Sequence, residues 1–404
     1  MRKICVVTGT RAEYGILSGV MRRLKESDEA TLQIIATNMH LSPRFGMTVN
    51  EIIADGFVVD ERIPLPLEDD SAAGTVRAMG VAMSGFAEAF NRLSPDFVVI
   101  LGDRYEMLAA ASAAAVFGIP VVHLHGGEIT EGAYDDAIRH AITKLSTYHF
   151  TSTEEYRQRV IQMGEEPERV FNSGSPAVDA IRRFTPLTRA GLASSLGVSL
   201  AEKFIVVTYH PVTMQPGEEV AQTRSLLEAL EDVMNVGSAD KGVRIIFTLP
   251  NSDAGGRSVA EAIGEWCDRN ADMAVAVTSL GRIRYYSALT YAAAVVGNSS
   301  SGLIEAPSFG IPTLNIGDRQ KGRARGNTVV ESGTNRREIA DGLRKVMSDE
   351  VRAYCRESGK NPYFKDGAEK FIYDTVMTLP VKKCCPKHFH DISRDIGTDV
   401  SETV

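Results

Sequence analysis

Short apolar runs alternate with amphipathic stretches along almost the whole chain. In the first half, the apolar runs predict strands at residues 3–8, 32–37, 97–101 and 120–124. Between them, the spacing of apolar positions predicts helices at residues 13–25, 105–117 and 135–145. The last of these helices has one apolar face, made of Ile138, Ala141, Ile142 and Leu145. Strands that are separated by helices in this way are typical of parallel βαβ units.

The same alternation starts again after a polar stretch at residues 182–203. The apolar runs of the second half predict strands at residues 204–209, 243–249, 273–277, 293–297 and 313–316. We therefore predict an α/β protein with two doubly wound, Rossmann-like domains, each large enough for its own core. In such sheets ligands bind beyond the carboxyl ends of the strands. The tail after Leu379 is polar, and we expect it to be peripheral.

Composition and charge narrow the class of protein. A chain of 404 residues fits two to three domains, and its formal net charge of −8 excludes a general attraction to nucleic acid or to an anionic membrane. The longest apolar stretch, residues 107–122, is interrupted by Ser112, Gly118 and Pro120, so it predicts no membrane-spanning helix.

The N-terminus and the cysteines favour a cytoplasmic location. The first apolar run, residues 4–7, is too short for a signal peptide. The five cysteines are odd in number and have no framework spacing, which fits a reducing compartment. They are Cys5, Cys267, Cys355, Cys384 and Cys385. Adjacent cysteines followed by His388 and His390 lack the spacing of a zinc site, so we expect no metal there.

Residues 9–15, Gly-Thr-Arg-Ala-Glu-Tyr-Gly, follow the first strand. Glycine permits a close backbone approach, and the start of the next helix favours an anion, so the segment is a candidate phosphate site with Arg11. It is not a G-x-G-x-x-G sequence, which disfavours a dinucleotide. The alternative is a tight strand–helix turn with Arg11 in solvent.

Acidic residues and histidines follow the next strands of the first half. Asp103 ends one strand, and His123, His125 and Glu128 follow another. Such groups suit general acid–base chemistry, and we prefer this to a metal site. The two histidines alternate in direction along a strand, so at most one of them faces the site.

Two further acidic residues, Asp135 and Asp136, start the helix at 135–145. Either Asp135 or Asp136 could instead cap that helix, and Asp103 could cap the helix that follows it. His140 lies in the middle of its helix, and we expect it to be packed or on the surface.

The second half carries groups suited to binding a diphosphate. His210 ends a strand, either as a functional group or simply bonded to backbone. Residues 297–302, Gly-Asn-Ser-Ser-Ser-Gly, precede a helix with Glu305, and supply backbone and hydroxyl donors for a diphosphate and a carboxylate for ribose. Arg319 follows the serines in the sequence and is a candidate to reach a phosphate. Lys321, Arg323 and Arg325 are instead typical of a solvated basic rim.

Taken in order, these motifs resemble the UDP-N-acetylglucosamine 2-epimerase family over roughly residues 1–380. The specific segments are 9–15, Leu-Gly-Asp-Arg-Tyr-Glu at 101–106, His-Gly-Gly-Glu at 125–128, Ile-Arg-His at 138–140 with Thr-Lys at 143–144, and Gly-Asn-Ser-Ser-Ser-Gly-Leu-Ile-Glu at 297–305. The resemblance is nearest to the hydrolysing bacterial branch, which makes N-acetylmannosamine for sialic acid and surface or capsule polysaccharide. A sister branch acts on UDP-2,4-diacetamido-2,4,6-trideoxyglucose for legionaminic acid.

The resemblance implies a fold of glycosyltransferase-B type with the nucleotide sugar in the cleft between two domains. The domains are expected at 1–182, with the catalytic carboxylates, and at 200–362, with the UDP site. Residues 363–380 would form a helix that crosses back to the first domain, and 381–404 the polar tail. A homodimer or homotetramer and no cofactor are implied as well.

The resemblance also assigns roles to single residues. Asp103 and Asp135 match the family's catalytic carboxylates, and Glu128 is shared with the hydrolysing enzymes. The positions that hold UDP match Arg11, His210, Asn251, Ser299, Ser300, Glu305 and Arg319. We add His125 and His210 to the catalytic candidates, and Arg104, Ser301, His40 and Arg139 to the candidates for binding UDP and sugar. His125 stands where animal and non-hydrolysing relatives have a catalytic Glu, so the base at C2 remains open among His125, Glu128 and Asp103.

The chemistry that these residues suggest is an elimination followed by a hydration. The C2 hydrogen is not acidic, so its removal requires the C1–O bond to UDP to break, with a stabilised diphosphate leaving. We hypothesise anti elimination to 2-acetamidoglucal and then syn addition of water with inversion at C2. The alternatives are the diacetamido substrate, a reversible epimerase, a glycosyltransferase and a non-catalytic nucleotide-sugar sensor.

Overall fold

The structure is a computed structural model that describes residues 1–200, 203–234, 243–381 and 386–392. Its first lobe contains a parallel sheet, whose strands are β1 (Arg2–Thr8), β2 (Ala30–Thr37), β3 (Glu61–Ile63), β4 (Phe97–Leu101), β5 (Val121–Leu124), β6 (Tyr148–Thr151) and β7 (Val170–Asn172). Its helices are α1 (Arg11–Lys25), α2 (Val49–Ala54), α3 (Ala72–Leu93), α4 (Tyr105–Val116), α5 (Asp135–Leu145), α6 (Glu154–Gln162) and α7 (Pro176–Arg182), with 3₁₀ turns at Asn38–Leu41, Pro43–Phe45 and Pro167–Arg169.

The second lobe repeats this plan. Its helices begin with α8 (Arg189–Leu196), and its strands are β8 (Phe204–Thr208), β9 (Arg244–Thr248), β10 (Ala274–Val277), β11 (Ala294–Gly297), β12 (Thr313–Ile316) and β13 (Val329–Ser332). The other helices are α9 (Glu219–Val233), α10 (Gly256–Arg269), α11 (Gly281–Tyr291), α12 (Ser301–Ile304), α13 (Arg336–Met347), α14 (Asp349–Ser358) and α15 (Ala368–Thr378), with a 3₁₀ turn at Ala306–Phe309.

Both sheets are parallel and doubly wound. The strand order is β3-β2-β1-β4-β5-β6-β7 in the first lobe and β10-β9-β8-β11-β12-β13 in the second. The order reverses between β1 and β4 and again between β8 and β11, and a crevice forms at the carboxyl ends of such strand pairs. The two crevices face each other across one cleft, since residues from the ends of β1, β4, β8 and β11 line it together. This is the predicted pair of Rossmann-like domains in the glycosyltransferase-B arrangement.

Alternation along the strands fills a core on each face of the first sheet. Ile4 and Val6 of β1 pack on the side of α1, whereas Cys5 and Val7 pack on the side of α3 and α4. Because both faces are covered, a central strand such as β4 is buried along its whole length. The burial fixes the register of β1 against β4, and so fixes where the two strands end.

The connections between the lobes differ in part from the expectation. The stretch at 182–203 contains helix α8, whose Leu192 packs in the core of the second lobe. Helix α15 packs its Ile372 and Val376 in the core of the first lobe. The exact domain limits, 1–182 and 200–362, stay a prediction.

Part of the tail also lies on the first lobe. The Lys387 ammonium pairs with Glu165 at 2.6 Å, and the backbone N–H of His390 donates to the carbonyl of Gly164 at 2.9 Å. Residues 382–385 and 393–404, including Cys384 and Cys385, lie outside the described residues. No helix within the described ranges combines the length and the apolar character that crossing a bilayer requires.

The predicted face of helix α5 is wrong at one position. Ala141 is exposed, and the buried positions of α5 are Asp135, Arg139, Ile142 and Thr143. The face turns its polar residues inward because it borders the cleft rather than a purely apolar core.

Candidate active site

Two adjoining pockets lie in the cleft between the lobes. The first, which we call the donor pocket, is lined by the segments that follow β1, β8, β9 and β11. The second, the acidic pocket, is lined by the segments that follow β1, β4 and β5 and by a loop of the second lobe. Asn251, Ser300 and Arg319 belong to both, so a ligand can extend from one pocket into the other.

The donor pocket contains the predicted run of serines. Gly297 has a φ of 129°, and a side chain there would collide with the Thr208 backbone, so only glycine lets β11 end so close to β8. Ser299, Ser300 and Ser301 then face the pocket. Backbone N–H groups and hydroxyls at such a turn bind phosphate oxygens well.

The helix that follows the serines ends before Glu305, which the sequence predicted to lie within it. Helix α12 has only four residues and ends at Ile304, so Glu305 caps it instead of lying within it. The Glu305 carboxylate lines the donor pocket and accepts the hydroxyl of Tyr286 at 2.7 Å. One carboxylate oxygen is therefore held in place, which suits a group that receives ribose hydroxyls.

Two arginines bring positive charge to the donor pocket. Arg11 donates to the carbonyl of Gly281 and lies over the ring of Tyr285, with 5.4 Å between guanidinium carbon and ring centre. Arg319 donates to the carbonyl of Asn298 at 3.2 Å. Both side chains line the pocket, so Arg11 is not the solvated residue of the alternative interpretation. Guanidinium groups in such positions bind diphosphate oxygens strongly.

His210 lines the donor pocket, and both its backbone and its ring are hydrogen-bonded to the protein. Asn298 holds its backbone, because His210 N–H donates to the Asn298 side chain at 2.7 Å. Its ring Nδ1 accepts the backbone N–H of Asn251 at 3.4 Å, which leaves the proton on Nε2. Burial lowers the pKa of the imidazole to about 3. His210 is therefore a neutral hydrogen-bonding residue of the donor pocket.

The acidic pocket gathers the predicted carboxylates. Asp103, Glu128 and Asp135 all line it, together with His125. They reach it from the ends of β4 and β5 and from the start of α5. The fold therefore brings these four residues, which are separate in sequence, into one pocket.

Each carboxylate has its own set of partners. Asp103 is paired with the buried guanidinium of Arg139. Glu128 is paired with Arg323 at 2.8 Å, accepts the Ser152 hydroxyl at 2.8 Å and lies 3.2 Å from His125. Both oxygens of Glu128 are thus engaged by the protein, whereas Asp103 keeps a quarter of its side chain exposed.

These partners separate the pKa values of the three acids. Burial alone raises the pKa of the Asp103 carboxyl, but Arg139 and Arg323 outweigh burial, and the net pKa is lowered. The same balance, with Arg323 foremost against burial, sets the pKa of Glu128 well below its usual value. Burial, followed by the charges of Asp103 and Asp253, raises the pKa of Asp135 to about 7. At neutral pH the pocket therefore holds two ionised carboxylates and one carboxyl, Asp135, that is close to its titration midpoint, and such separated pKa values are the pattern of acid–base pairs.

His125 faces the pocket and His123 does not. His123 bonds to the carbonyl of Gly102 at 2.7 Å and to the Thr143 hydroxyl at 3.3 Å, behind the pocket wall. His125 has a φ of 64°, an unusual conformation for a residue with a side chain. Its Nδ1 lies beside Glu128, and its Nε2 is buried with no partner among the described residues. A buried ring nitrogen without a partner can form a hydrogen bond with a ligand atom.

Two residues that were predicted to bind the substrate, His40 and Arg139, are bonded to other groups of the protein. The ring nitrogens of His40 are bonded to Thr8 at 3.0 Å and to Thr48 at 2.8 Å, and His40 lines neither pocket. Arg139 lines the acidic pocket, but its guanidinium clamps Asp103 and the Glu128 carbonyl. Their role in substrate binding stays a prediction.

Arg104 also lines the acidic pocket, but its three guanidinium nitrogens are used. They bond to Glu106 at 2.8 Å, to Asp253 at 3.2 Å and to Ser252 at 2.9 Å. Since Asp253 and Ser252 belong to the second lobe, Arg104 fastens the two lobes together. Its predicted contact with substrate remains untested.

Some sequence interpretations are wrong. Asp136 does not cap α5, because its carboxylate accepts the backbone N–H of Thr130 at 2.6 Å. Arg323 is not part of a solvated rim, because it is 6% exposed and lies in the acidic pocket. Its neighbours Lys321 and Arg325 are indeed largely exposed.

Sequence reasoning also missed two buried acids. Asp253 pairs with Arg104 across the cleft and with Arg319 of its own lobe, and nothing in its local sequence marks it. Glu13 lines the acidic pocket and accepts the N–H groups of Gly9 and Thr10 at 2.7 Å and 3.1 Å. Burial, with the charge of Glu106, raises the pKa of Glu13 to about 8. Its capping-box spacing from Thr10 was the available signal.

The described residues contain no group of three or more His, Cys, Asp or Glu side chains arranged to hold a metal ion. A reaction without a metal or cofactor stays a prediction.

Comparisons with known proteins identify the family and the fold. The family model of UDP-N-acetylglucosamine 2-epimerase matches residues 22–377, so the chain belongs to that family. The GDP/UDP-N,N'-diacetylbacillosamine 2-epimerase (hydrolyzing) of Campylobacter jejuni is 41% identical over 391 residues, covering 97% of this chain and 99% of the relative. The UDP-N,N'-diacetylbacillosamine 2-epimerase (hydrolyzing) of Legionella pneumophila is 38% identical and covers 94% of this chain and 97% of the relative.

A solved structure confirms the fold. The UDP-GlcNAc 2-epimerase of Neisseria meningitidis bound to UDP-GlcNAc superposes with a TM-score of 0.77, covering 93% of this chain and 100% of that one, at 18% identity. The resemblance noted from the motifs is thus correct at the level of the family, and the glycosyltransferase-B fold is correct as predicted.

Proposed function

We propose that this protein is a hydrolysing 2-epimerase of a UDP-linked N-acetylated amino sugar. The observation that carries the proposal is the junction of the two pockets at Ser300 and Arg319. A diphosphate in the donor pocket places the sugar's C1 and C2 at the edge of the acidic pocket. The leaving group and the acid–base groups then meet at the two carbons that react.

The first step is the elimination of UDP. Asp103 takes the hydrogen from C2, the electron pair of that bond forms the C1–C2 double bond, and the C1–O bond breaks with its pair going to UDP. Asp103 suits this role because it is ionised and partly exposed, whereas both oxygens of Glu128 are occupied. Arg11, Arg319 and the serine backbone stabilise the charge that develops on the diphosphate.

The second step is the hydration of the glycal. Asp135, whose raised pKa of about 7 keeps a large fraction of it protonated near neutral pH, gives its proton to C2. A water molecule adds its oxygen to C1 and gives a proton to His125 Nε2. The ionised Glu128 carboxylate accepts a hydrogen bond from the Nδ1–H of His125, which leaves Nε2 unprotonated and able to act as the base. The products are the free sugar, inverted at C2, and UDP.

The sugar is inferred from the relatives. N,N'-Diacetylbacillosamine is 2,4-diacetamido-2,4,6-trideoxyglucose, the second of the two substrates that the sequence suggested. Two nearly full-length hydrolysing relatives at 41% and 38% identity are named for it, and we therefore favour this UDP-sugar. The apolar side chains of Ile16 and Ile304 at the junction suit a 6-deoxy sugar. UDP-N-acetylglucosamine, after which the family model is named, is the second candidate.

One assay tests the reaction and the substrate together. Purified protein is incubated in deuterium oxide with either UDP-sugar, with EDTA present, and followed by NMR. We expect free UDP, a free sugar with the manno configuration and one deuterium at C2. A UDP-linked product would indicate a reversible epimerase, and a product without deuterium at C2 would exclude the elimination.

A homodimer is the assembly that we propose for this enzyme. Helix α3 presents Val76 and Met83 to solvent, at 66% and 40% exposure, with the open glycine Gly80 between them on the same face. A second copy of α3 can pack closely on such a face. Light scattering should show a dimer of the wild type and a monomer of Val76→Glu. A monomeric wild type would disprove the proposal, and a tetramer would require a second interface.

The proposed location is the cytoplasm.

A further inference from the structure

Arg323 crosses from the second lobe to the catalytic groups of the first. It follows β12 in a loop that sequence reasoning placed at the surface. Lys321 and Arg325 of this loop are 60% and 38% exposed, whereas Arg323 is 6% exposed. Burial of an arginine is costly unless a counter-charge meets it, and here Glu128 meets it at 2.8 Å.

The backbone on both sides of Arg323 is docked on the first lobe. Lys321 accepts the backbone N–H of Glu131 at 3.0 Å, and the backbone N–H of Ala324 donates to the Tyr156 hydroxyl at 2.6 Å. Gly322 has a φ of 84°, and a side chain there would collide with Ile129. The loop is therefore built to lie against the first lobe and to insert Arg323.

Glu128 has several charged or polar neighbours, but among the residues that the structure describes only Arg323 comes from the other lobe and forms an ion pair with it. His125 belongs to the loop of Glu128, Arg139 to α5, Asp103 to the end of β4, and Ser152 follows β6. The phenols of Tyr156 and Tyr363 also lie near. Arg139 is already engaged by Asp103 and the Glu128 carbonyl. The ionic partner of the Glu128 carboxylate is therefore supplied across the cleft.

We propose that Arg323 is a positioning residue that keeps Glu128 ionised as the partner of His125, so that the hydrating base is complete only where the two lobes meet. This inference rests on the proposed function. Its consequence is that separation of the lobes switches off the base, because it removes the guanidinium. Water activation is then confined to the closed cleft, where the glycal is held.

The test compares Arg323→Gln with wild type, with Arg325→Gln as the matched control. Arg325 lies in the same loop but pairs with Glu331 of its own lobe. The rate at which the free, hydrated sugar forms from the active UDP-sugar is measured by NMR between pH 6 and pH 8.5, because UDP release reports only the elimination. Without Arg323, burial raises the pKa of Glu128, so we expect the ratio of variant to wild-type kcat/KM to fall at least tenfold on going from pH 8.5 to pH 6. Arg323→Lys should restore much of the ratio at pH 6, and Arg325→Gln should show none of this effect.

Binding of UDP separates this role from a general loss of structure. The donor pocket does not include Arg323, so calorimetry should show UDP affinity within threefold of wild type. If Arg323→Gln does not fold, Glu128→Gln is compared with Glu128→Gln/Arg323→Gln, since removal of both charges avoids a buried unpaired ion. Equal residual rates support the proposal, and a further tenfold drop overturns it.

The possible failures are distinct. If wild type releases UDP but the ratio for Arg323→Gln does not change with pH, this inference is wrong and the proposed function stands. If wild type releases no UDP from either sugar, the proposed function fails first.

Discussion

Asp135 provides the sharpest test of how this site divides its acid and base roles. Its pKa of about 7 means that the folded protein holds a proton on this carboxyl that the unfolded chain releases above pH ~4. Asp135→Asn keeps the shape and the neutral charge but has no proton to give. We expect kcat for formation of the hydrated sugar to fall by about 10² to 10⁴.

The product distribution of Asp135→Asn shows which step has failed. If Asp135 delivers the proton to C2 in the hydration, elimination can still proceed with Asp103. Free UDP and an unsaturated glycal should then appear by NMR without the hydrated sugar. If Asp135→Asn stays within tenfold of wild type, or forms no glycal while losing all UDP release, Asp135 is not the acid of the second step.

The stability of the same variant has a predictable dependence on pH. The folded pKa of Asp135 is raised about three units above that of a free Asp, and each unit is worth about 1.4 kcal/mol, so the total effect is about 4 kcal/mol. A raised pKa contributes stability that is present below the unfolded pKa and is lost as pH rises through the folded pKa. Wild type therefore loses this stability between pH ~4 and pH ~7, whereas the Asn variant does not.

Thermal melts at two pH values measure this difference. At pH 5 the wild type has lost about 1.5 kcal/mol of this stability, and at pH 8 it has lost about 4 kcal/mol. The free energy of unfolding of Asp135→Asn relative to wild type should therefore increase by about 2.5 kcal/mol between pH 5 and pH 8. That corresponds to a gain of roughly 5–10 °C in Tm relative to wild type for a lobe of this size. Asp341→Asn, at a 62% exposed position of α13, is the control and should show no such trend. A difference in Tm that is the same at both pH values would refute the raised pKa.

Three further predictions follow from single contacts. Arg319→Met should weaken the binding of UDP at least tenfold in calorimetry, because a charged hydrogen-bond donor of the donor pocket is lost; an unchanged affinity would remove Arg319 from the phosphate site. Gly132→Ala should lower kcat/KM, because its Cβ would lie 2.5 Å from the Asp318 carbonyl and would hold the lobes apart. Gly264→Ala, with open space around it, should leave the kinetics unchanged. Equal kinetics for both variants would contradict the close approach of the lobes. The Cys267 thiol, whose pKa burial raises to about 12, should react with a thiol reagent at pH 8 only after unfolding, as mass spectrometry of the modified peptide can show; modification of the native protein at this residue would contradict its burial.

The pattern of the chain was sufficient to predict the two parallel sheets. The strand at 97–101 and the helix at 135–145 have the bounds that the pattern predicts, because each is a strong periodic run closed by a polar residue. The short strands β3, β6, β7 and β13 were not predicted. Each has three or four residues, and what makes them strands is pairing with a neighbouring strand rather than their own sequence.

The motifs of the candidate site were also visible in the sequence, since glycines, serines and acids after apolar strands mark the ends of parallel strands. Asp103, Glu128, Asp135 and the serine run were found in this way, and the fold places them in one cleft. Local sequence could not tell a surface arginine from a buried one. Arg323 has the same basic neighbours as Arg325, and only the docking of its loop on the first lobe buries it.

What the amino-acid order alone determined is therefore the class of fold and the types of reactive group, because periodicity and turn residues act over a few positions. What only the tertiary structure decided is the charge state of those groups and which of them contact each other across the cleft. Asp103 and Asp135 are the same residue type with opposite pKa shifts. The reason is that electrostatic energy depends on distances and burial in space, and residues far apart in the chain supply both.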